Sequence, residues 1–93
     1  MQEEGILSIV RRGATYQVRY ASYRPYDCDY LPYVCPDEDT LVAWLQQWGI
    51  QGWALQQARA TLQKGSVAVL PVVCSVVQRE TAFPLHEAPR RPG

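Results

Sequence analysis

The chain has 93 residues, of which 47% are hydrophobic and 19% are charged, and its nine basic residues balance its nine acidic ones. This length fits one small domain with little core to spare for a deep catalytic cleft. The balanced charge does not favour binding to nucleic acid or to acidic lipid, because both attract strongly basic proteins.

We expect neither a secretory leader nor a membrane-spanning segment in this sequence. The N-terminus, MQEEG, is acidic where a leader would be basic. The longest apolar run, VAVLPVVCSVV, has eleven residues, whereas a membrane helix needs about 20. Three cysteines, an odd number, fit reduced thiols better than a disulfide framework. These features predict a cytoplasmic protein.

Residues 6–22 are predicted to form a β-hairpin. Two runs rich in Ile, Val, Thr and Tyr are joined at Gly13 and Ala14, and glycine in the first position suits a type II′ turn. A two-residue loop fixes which residues face each other across the strands, and it gives one largely apolar face and one mixed face. The pairs predicted on the apolar face are Leu7 with Tyr20, Ile9 with Val18, and Arg11 with Tyr16.

Two helices are predicted after a loop rich in Tyr and Pro at 23–36. The first spans 37–48, with Asp37 as its N-cap, and Gly49 ends it in a left-handed conformation. The second spans 52–64. Its buried stripe is predicted to consist of Leu55, Ala58 and Leu62.

A third strand is predicted at 66–78, because this segment is rich in β-branched residues. Both of its faces are apolar, whereas two helices can cover only one face of a sheet. Pro71 removes one backbone donor, so the strand must bulge or leave an edge unpaired there. The uncovered row is predicted to consist of Val67, Val69, Val73 and Val77.

The predicted fold class is therefore α+β, with the element order ββααβ. A small, mainly antiparallel three-stranded sheet carries a two-helix hairpin on one face. Residues 1–80 form this single domain, and 81–93, rich in Pro and Arg, form a flexible tail. The uncovered valines predict self-association as a homodimer, unless the Tyr-rich loop or the start of the tail covers them.

The Tyr-rich loop also contains Cys28 and Cys35, with six residues between them. This spacing matches none of the usual short zinc motifs, and His86 is the only histidine in the sequence. A disulfide between the two would close a short loop, but a reducing cytosol opposes it. We expect free thiols, no metal and no cofactor.

The tyrosines of the loop form the first candidate binding surface. They recur every three or four residues, yet the prolines exclude a continuous helix. The first interpretation is that the rings pack over the core, and the second is that Tyr and Trp side chains recognise a protein partner. Stacking on nucleic-acid bases is disfavoured, because acidic residues follow. The candidate partner-binding residues are Tyr23, Tyr26, Tyr30, Tyr33 and Trp53.

Residues 41–58, LVAWLQQWGIQGWALQQA, resemble a helix-turn-helix unit with Gly49 at the turn. They depart from that pattern at Leu45, where the first helix would carry a small residue. The resemblance implies DNA contacts from the second helix, which offers little positive charge. The residues that would make these contacts are Gln56, Arg59, Gln63 and Lys64.

No set of residues in the sequence combines a nucleophile, a base and an orienting group, and no Gly-rich phosphate loop is present. We therefore expect no enzymatic activity. The leading hypothesis is a small soluble protein that acts as a non-catalytic protein-interaction or regulatory module, in a homodimer if the valine row self-associates. The alternative is a small nucleic-acid-binding regulator that uses the helical hairpin. The sequence does not identify the partner protein.

Overall fold

The structure, a computed structural model, describes residues 2–22 and 30–83. Its strands are β1 (Gln2–Arg12), β2 (Thr15–Ser22), β3 (Tyr33–Cys35) and β4 (Ala68–Ser75), and its helices are α1 (Glu38–Gln47), α2 (Gly52–Gln63) and α3 (Val76–Ala82). The strands form one antiparallel sheet in the order β3-β2-β1-β4. In this part of the chain, β1 and β2 are therefore central, and β3 and β4 are the edges.

The β1–β2 hairpin has the predicted register, and all three predicted pairs on its apolar face are confirmed. Gly13 has a φ of 63°, whereas no residue other than glycine has a positive φ in the described segments. This combination fits the predicted type II′ turn. β1 is longer than predicted, since it starts at Gln2 rather than at residue 6. Its alternation of buried and exposed residues continues back through Gly5 and Glu3.

Helices α1 and α2 begin and end within one residue of the predicted positions. The Asp37 carboxylate accepts a hydrogen bond from the backbone N–H of Thr40 at 2.8 Å. This bond caps α1 and holds the pKa of the Asp37 carboxyl below its ordinary value. Gly49 follows α1 with a φ of 82°, a conformation that glycine adopts at low cost. The predicted stripe of α2 is buried.

The core lies between the helices and one face of the sheet. α1 packs against β2 and β3, and α2 packs against β1 and β4. Leu7, Ile9 and Val18 from the sheet are fully buried together with Leu41 and Leu45 from α1. The helices cover this one face, as predicted from their single apolar stripes.

An aromatic cluster extends the core beside α1. Trp44 stacks on Trp48 with ring centres 5.1 Å apart. Phe83, which follows α3, lies against both rings at 5.6 Å and stacks on Tyr20 at 5.5 Å. Phe83 is fully buried, so that it is part of the core rather than of a flexible tail beginning at residue 81. Residues 84–93 of that predicted tail lie outside the described segments.

The prediction of strand through residue 78 is wrong, because the chain enters α3 at Val76. The Ser75 hydroxyl accepts a hydrogen bond from the backbone N–H of Gln78 at 3.0 Å and so caps the new helix. A side chain that satisfies a free N–H offers the backbone an alternative to the sheet ladder. Val77 therefore lies on a helix and does not extend the row of exposed valines on β4.

The α+β class is confirmed, but the order ββααβ is incomplete. β3 adds a strand within the segment predicted to be loop, and it pairs with β2 so that Cys35 lies opposite Tyr16. With three residues, β3 is too short to show a pattern of alternation. None of the helices in residues 2–22 and 30–83 combines the length and the hydropathy needed to cross a membrane.

Candidate protein-binding surface

We call the side of the sheet opposite the helices the open face. Alternation along β4 points Ala68, Val72 and Cys74 toward the helices, where all three are buried. The same alternation points Val69 and Val73 to the open face, where they are 58% and 57% exposed. Residue type is therefore similar on the two sides of β4, and position alone decides which side chains contact solvent.

The rest of the open face is mixed, as the sequence predicts for the hairpin. Ser8 and Glu4 of β1 are the neighbours of Val69 and Val73, and Ile6 is the neighbour of Pro71. Arg19 of β2, which is exposed, lies opposite Ser8 on the other side. Two strongly exposed valines of this face therefore lie on β4, and a third, Val34, lies on β3 at the opposite edge.

The outer edge of β4 presents backbone groups in a defined pattern. In a two-residue hairpin the pair next to the turn exchanges hydrogen bonds, and bonded and non-bonded pairs then alternate along the ladder. Arg12 and Thr15 form the bonded pair next to the turn, so the alternation along β1 makes Ile6 and Ser8 residues whose backbone groups point toward β2. Their partners on β4, Pro71 and Val69, therefore turn their backbone groups outward. Pro71 leaves the inner ladder intact, because its missing N–H lies on the outer edge.

A groove of about 320 Å³ runs between α2 and the first half of β4. One wall is formed by residues 67–70, at the start of β4 and just before it, and Trp53, Gln57 and Thr61 of the α2 wall recur every four residues, as one side of a helix requires. Trp53 is 73% exposed and Val67 is 51% exposed. Of the residues that the structure describes, no charged side chain lines the groove.

We define the α2–β4 surface as this groove together with the exposed Val67, Val69 and Val73. Sequence reasoning identified Trp53 and the valines from their types and spacing. It missed Gln57 and Thr61, because these residues contribute only once α2 has docked against β4. The buried apolar stripe of α2 predicts which side of the helix faces the sheet, but it does not predict that a groove remains between α2 and β4.

Tyr30 and Tyr33, two of the tyrosines predicted to bind a partner, pack against the core. Tyr33 stacks on Trp44 with ring centres 5.1 Å apart, and Tyr30 meets Tyr20 edge to face at 5.3 Å. The guanidinium of Arg79 lies 4.8 Å from the centre of the Tyr30 ring. These contacts favour the packing interpretation for both residues. The other two tyrosines, at 23 and 26, lie outside the described segments.

The residues of the nucleic-acid hypothesis lie on the exposed side of α2 and at its end. Gln56, Arg59 and Gln63 line one shallow depression. Arg59 donates from Nε to the Glu38 carboxylate at 2.8 Å, so that it already forms an ion pair within the chain. Lys64, the C-cap of α2, is exposed and forms no ion pair with any described residue. This leaves little positive charge for contact with a phosphate backbone.

A buried ionic cluster joins β1, β2 and α3 on the helix side of the sheet. The Glu3 carboxylate, on a residue that is 7% exposed, accepts hydrogen bonds from the Tyr20 hydroxyl at 2.6 Å and from Arg79 Nε at 3.1 Å. Burial and then the hydrogen bond to Glu3 raise the pKa of Tyr20 above its ordinary value. The Cys74 thiol lies 4.0 Å from the same hydroxyl. We interpret this cluster as the attachment of α3.

Cys35 and Cys74 are buried free thiols. Burial raises the pKa of Cys35 to about 11 and that of Cys74 above its ordinary value, so both stay protonated at neutral pH. Protonated thiols are poor nucleophiles and poor metal ligands. No group of three His, Cys, Asp or Glu side chains that could hold a metal ion occurs among the residues described. Cys28 is outside those residues, so its predicted state stays a prediction.

Comparisons of the chain with protein-family models, with curated proteins and with solved structures find no match. The functional argument therefore rests on the α2–β4 surface itself. There, exposed apolar side chains, the outer edge of a strand and an uncharged groove adjoin one another. This combination is suited to contact with another polypeptide.

Proposed function

We propose that this domain is a non-catalytic protein-interaction module that binds its partner at the α2–β4 surface. The proposal depends above all on one observation: Trp53 and Val67 are more than half exposed beside one groove, and Val69, also more than half exposed, lies on the open face of the edge strand that forms its wall. Exposed apolar residues that occur singly are normal on protein surfaces, whereas adjoining ones are typical of interaction sites.

Burial of this surface would provide free energy for binding. Fully burying one valine-sized side chain contributes about 1.5–3 kcal/mol, and Trp is enriched among the residues that contribute most at protein interfaces. Three valines and one Trp therefore supply several kcal/mol toward the cost of immobilising two proteins relative to each other. Trp53 also loses little side-chain entropy on binding, because it has few rotatable bonds.

The non-catalytic part of the proposal is supported by the chemistry of the groove. Its lining consists of Trp, Ala, Gln, Thr, Val and Leu, which supply no general base and no activated nucleophile. Among the described residues, the raised pKa values belong to Cys35, Cys74, Tyr20 and Arg79, and none of these side chains lines the groove. Glu3 is held by Tyr20 and Arg79.

The test is a comparison of captured proteins. We would immobilise the parent, a Trp53→Ala, Val69→Lys double variant and a Val34→Lys control, and quantify proteins bound from a lysate of the source organism by mass spectrometry. Val34 is 55% exposed but lies on the opposite edge strand. We expect at least one protein to be retained by the parent and the control and reduced at least tenfold on the double variant. If all three retain the same proteins equally, the proposal is wrong.

The nucleic-acid alternative is separated by a mobility-shift assay with duplex DNA and RNA at two salt concentrations. Phosphate contacts release counterions, so such binding would weaken with salt and would be lost in an Arg59→Glu, Lys64→Glu variant. We expect no shift with the parent, because the charge of Arg59 is paired with Glu38. A salt-dependent shift that this double variant abolishes would favour the alternative.

A further inference from the structure

We propose that the partner presents an extended peptide segment, which adds to β4 as a further strand and places two apolar side chains in the groove. The inference rests on the proposed interaction at the α2–β4 surface and specifies the chemistry of the segment that binds there. Extended segments are recognised through main-chain hydrogen bonds at a sheet edge together with pockets for alternate side chains. In this domain the edge and the pocket lie side by side.

The backbone of Val69 is the point where such a segment can pair. Its N–H and C=O face outward on the described edge of β4, whereas Pro71, the next outward-facing residue, offers a C=O without an N–H. The groove is lined by residues 67–70, on the N-terminal side of Pro71. The free donor and the groove therefore coincide, and Pro71 marks the end of the stretch in which a strand can pair fully.

The pleat of the sheet determines where the side chains of the segment point. A residue paired with Val69 points its side chain to the open face, as Val69 does. Its two neighbours lie opposite Ala68 and Leu70 and point to the helix side, into the groove. Because the groove has a volume of about 320 Å³ and no charged lining, the segment has the pattern apolar-x-apolar, with anchors the size of Val or Leu.

Lys64 adds a charge preference to this pattern. Gln57, Thr61 and Lys64 follow helical spacing, so Lys64 lies just beyond the α2 wall of the groove, at the end near Val67. Antiparallel pairing is the more stable arrangement, and it runs the segment toward this end. The residue two places after the second anchor also points to the helix side. An acidic residue there complements Lys64, which has no ion pair within the described segments.

A second copy of the domain fits the same edge less well. Two β4 strands that are related by a two-fold axis and paired over their full length would run antiparallel and would bring Pro71 close to its own counterpart in the middle of the pairing. The missing N–H groups would then coincide at the centre, where edge pairing needs donors. A short segment that pairs at Val69 avoids this conflict.

The experiment begins with a phage-displayed library of random 12-residue peptides, selected on the parent chain and counter-selected on the Trp53→Ala, Val69→Lys variant. We expect enriched peptides to share apolar-x-apolar followed after one residue by Asp or Glu. A synthetic peptide of that sequence is then measured by fluorescence polarisation. We expect Val69→Pro, which removes the outward N–H, to weaken peptide binding at least tenfold. Lys64→Glu should weaken it at least fivefold, and Val34→Lys should leave it unchanged.

N-methylation of the peptide separates strand addition from simple burial of side chains. Methylating the nitrogen of the residue between the anchors removes the bond to the Val69 carbonyl, and we expect at least tenfold weaker binding. Methylating an anchor nitrogen, which faces away from β4, should change the affinity less than threefold. Equal effects at the two positions would overturn strand addition.

Other outcomes also decide the inference. If no peptide is enriched, or if binding is unaffected by Val69→Pro, the inference is wrong. If the inference fails but lysate capture still depends on Trp53 and Val69, the proposed function stands and only the strand-addition inference is wrong. If lysate capture is also unaffected by the double variant, both the proposed function and the inference are wrong. A parent chain that dimerises in solution and is made monomeric by Val69→Pro would show a second copy to be the occupant instead.

Discussion

The two faces of the sheet differ in exposure although both carry β-branched apolar residues. On the helix side, Ile9 and Val18 are fully buried, whereas on the open face Val69 and Val73 remain more than half exposed. The helices have one apolar stripe each, so they cover one face and leave the other. The comparison shows that one side of the sheet stabilises the fold and that the other is available for contacts outside it.

The largest effect is expected from a charge placed on the covered face. Ile9→Asp buries an unpaired carboxylate in the centre of the core, and we expect a loss of about 4 kcal/mol or more, which unfolds a domain of this size. Val69→Asp, the same kind of change on the open face, should cost less than about 1 kcal/mol. Urea denaturation followed by circular dichroism measures both. Similar losses would contradict the difference between the faces.

The next effect concerns the attachment of α3 on the covered side. Arg79→Met keeps the apolar stem but removes the guanidinium from the buried Glu3 carboxylate, and we expect a loss of about 3 kcal/mol. Arg59→Met removes the partly exposed pair with Glu38 and should change the free energy of unfolding by less than about 1 kcal/mol. If the two variants have the same midpoint in urea, the buried pair is not what attaches α3.

A smaller, pH-dependent loss of stability is expected when the Tyr20 hydroxyl is removed. Tyr20→Phe keeps the stacked ring but removes the hydrogen bond to Glu3, and we expect a loss of about 1–2 kcal/mol at pH 7. Because the pKa of Tyr20 is raised in the folded state, its hydroxyl stays protonated there while the unfolded chain ionises near pH 10. The stabilisation is thus complete below about pH 10 and is lost as pH rises further. The measurement is the free energy of unfolding of parent and Tyr20→Phe variant as a function of pH. If the two curves have the same slope between pH 9 and 11, this prediction is wrong.

The smallest effect on stability is expected on the open face, where the sequence predicts self-association. Val69→Lys together with Val73→Lys should leave the helical circular dichroism unchanged, because both side chains are exposed. If the parent is a dimer by light scattering, this double variant should be a monomer. A parent that is monomeric from micromolar to millimolar concentration would contradict self-association and leave the surface free for a different partner.

The features that could be predicted from the sequence are those that depend on neighbours in the chain. Gly13 fixes the turn and hence the hairpin register, while Asp37 and Gly49 fix the ends of α1. α3 was missed although Ser75 and Gln78 have the Ser-x-x-Gln spacing of a capping box. That signal was outweighed by the β-branched residues between them, which favour a strand in isolation.

The features that could not be predicted depend on contacts between distant segments. In the sequence, Glu3 is simply one residue of an acidic N-terminus. Only the fold shows that it is buried and accepts hydrogen bonds from Tyr20 and Arg79. The groove depends on how closely α2 approaches β4, which the apolar stripe of α2 does not specify. Trp53 and the valines could be identified because a large apolar residue outside the predicted stripes is visible from periodicity alone.

The position of β1 in the middle of the sheet also determines when the domain can fold during synthesis. β1 needs β4 as its second neighbour, and Glu3 needs Arg79, which lies 76 residues later in the chain. At ribosomal elongation rates the intervening residues take roughly 4–15 s to make. Throughout that interval the nascent hairpin has an unpaired apolar edge, so chaperones that bind extended apolar segments can engage β1 before β4 emerges.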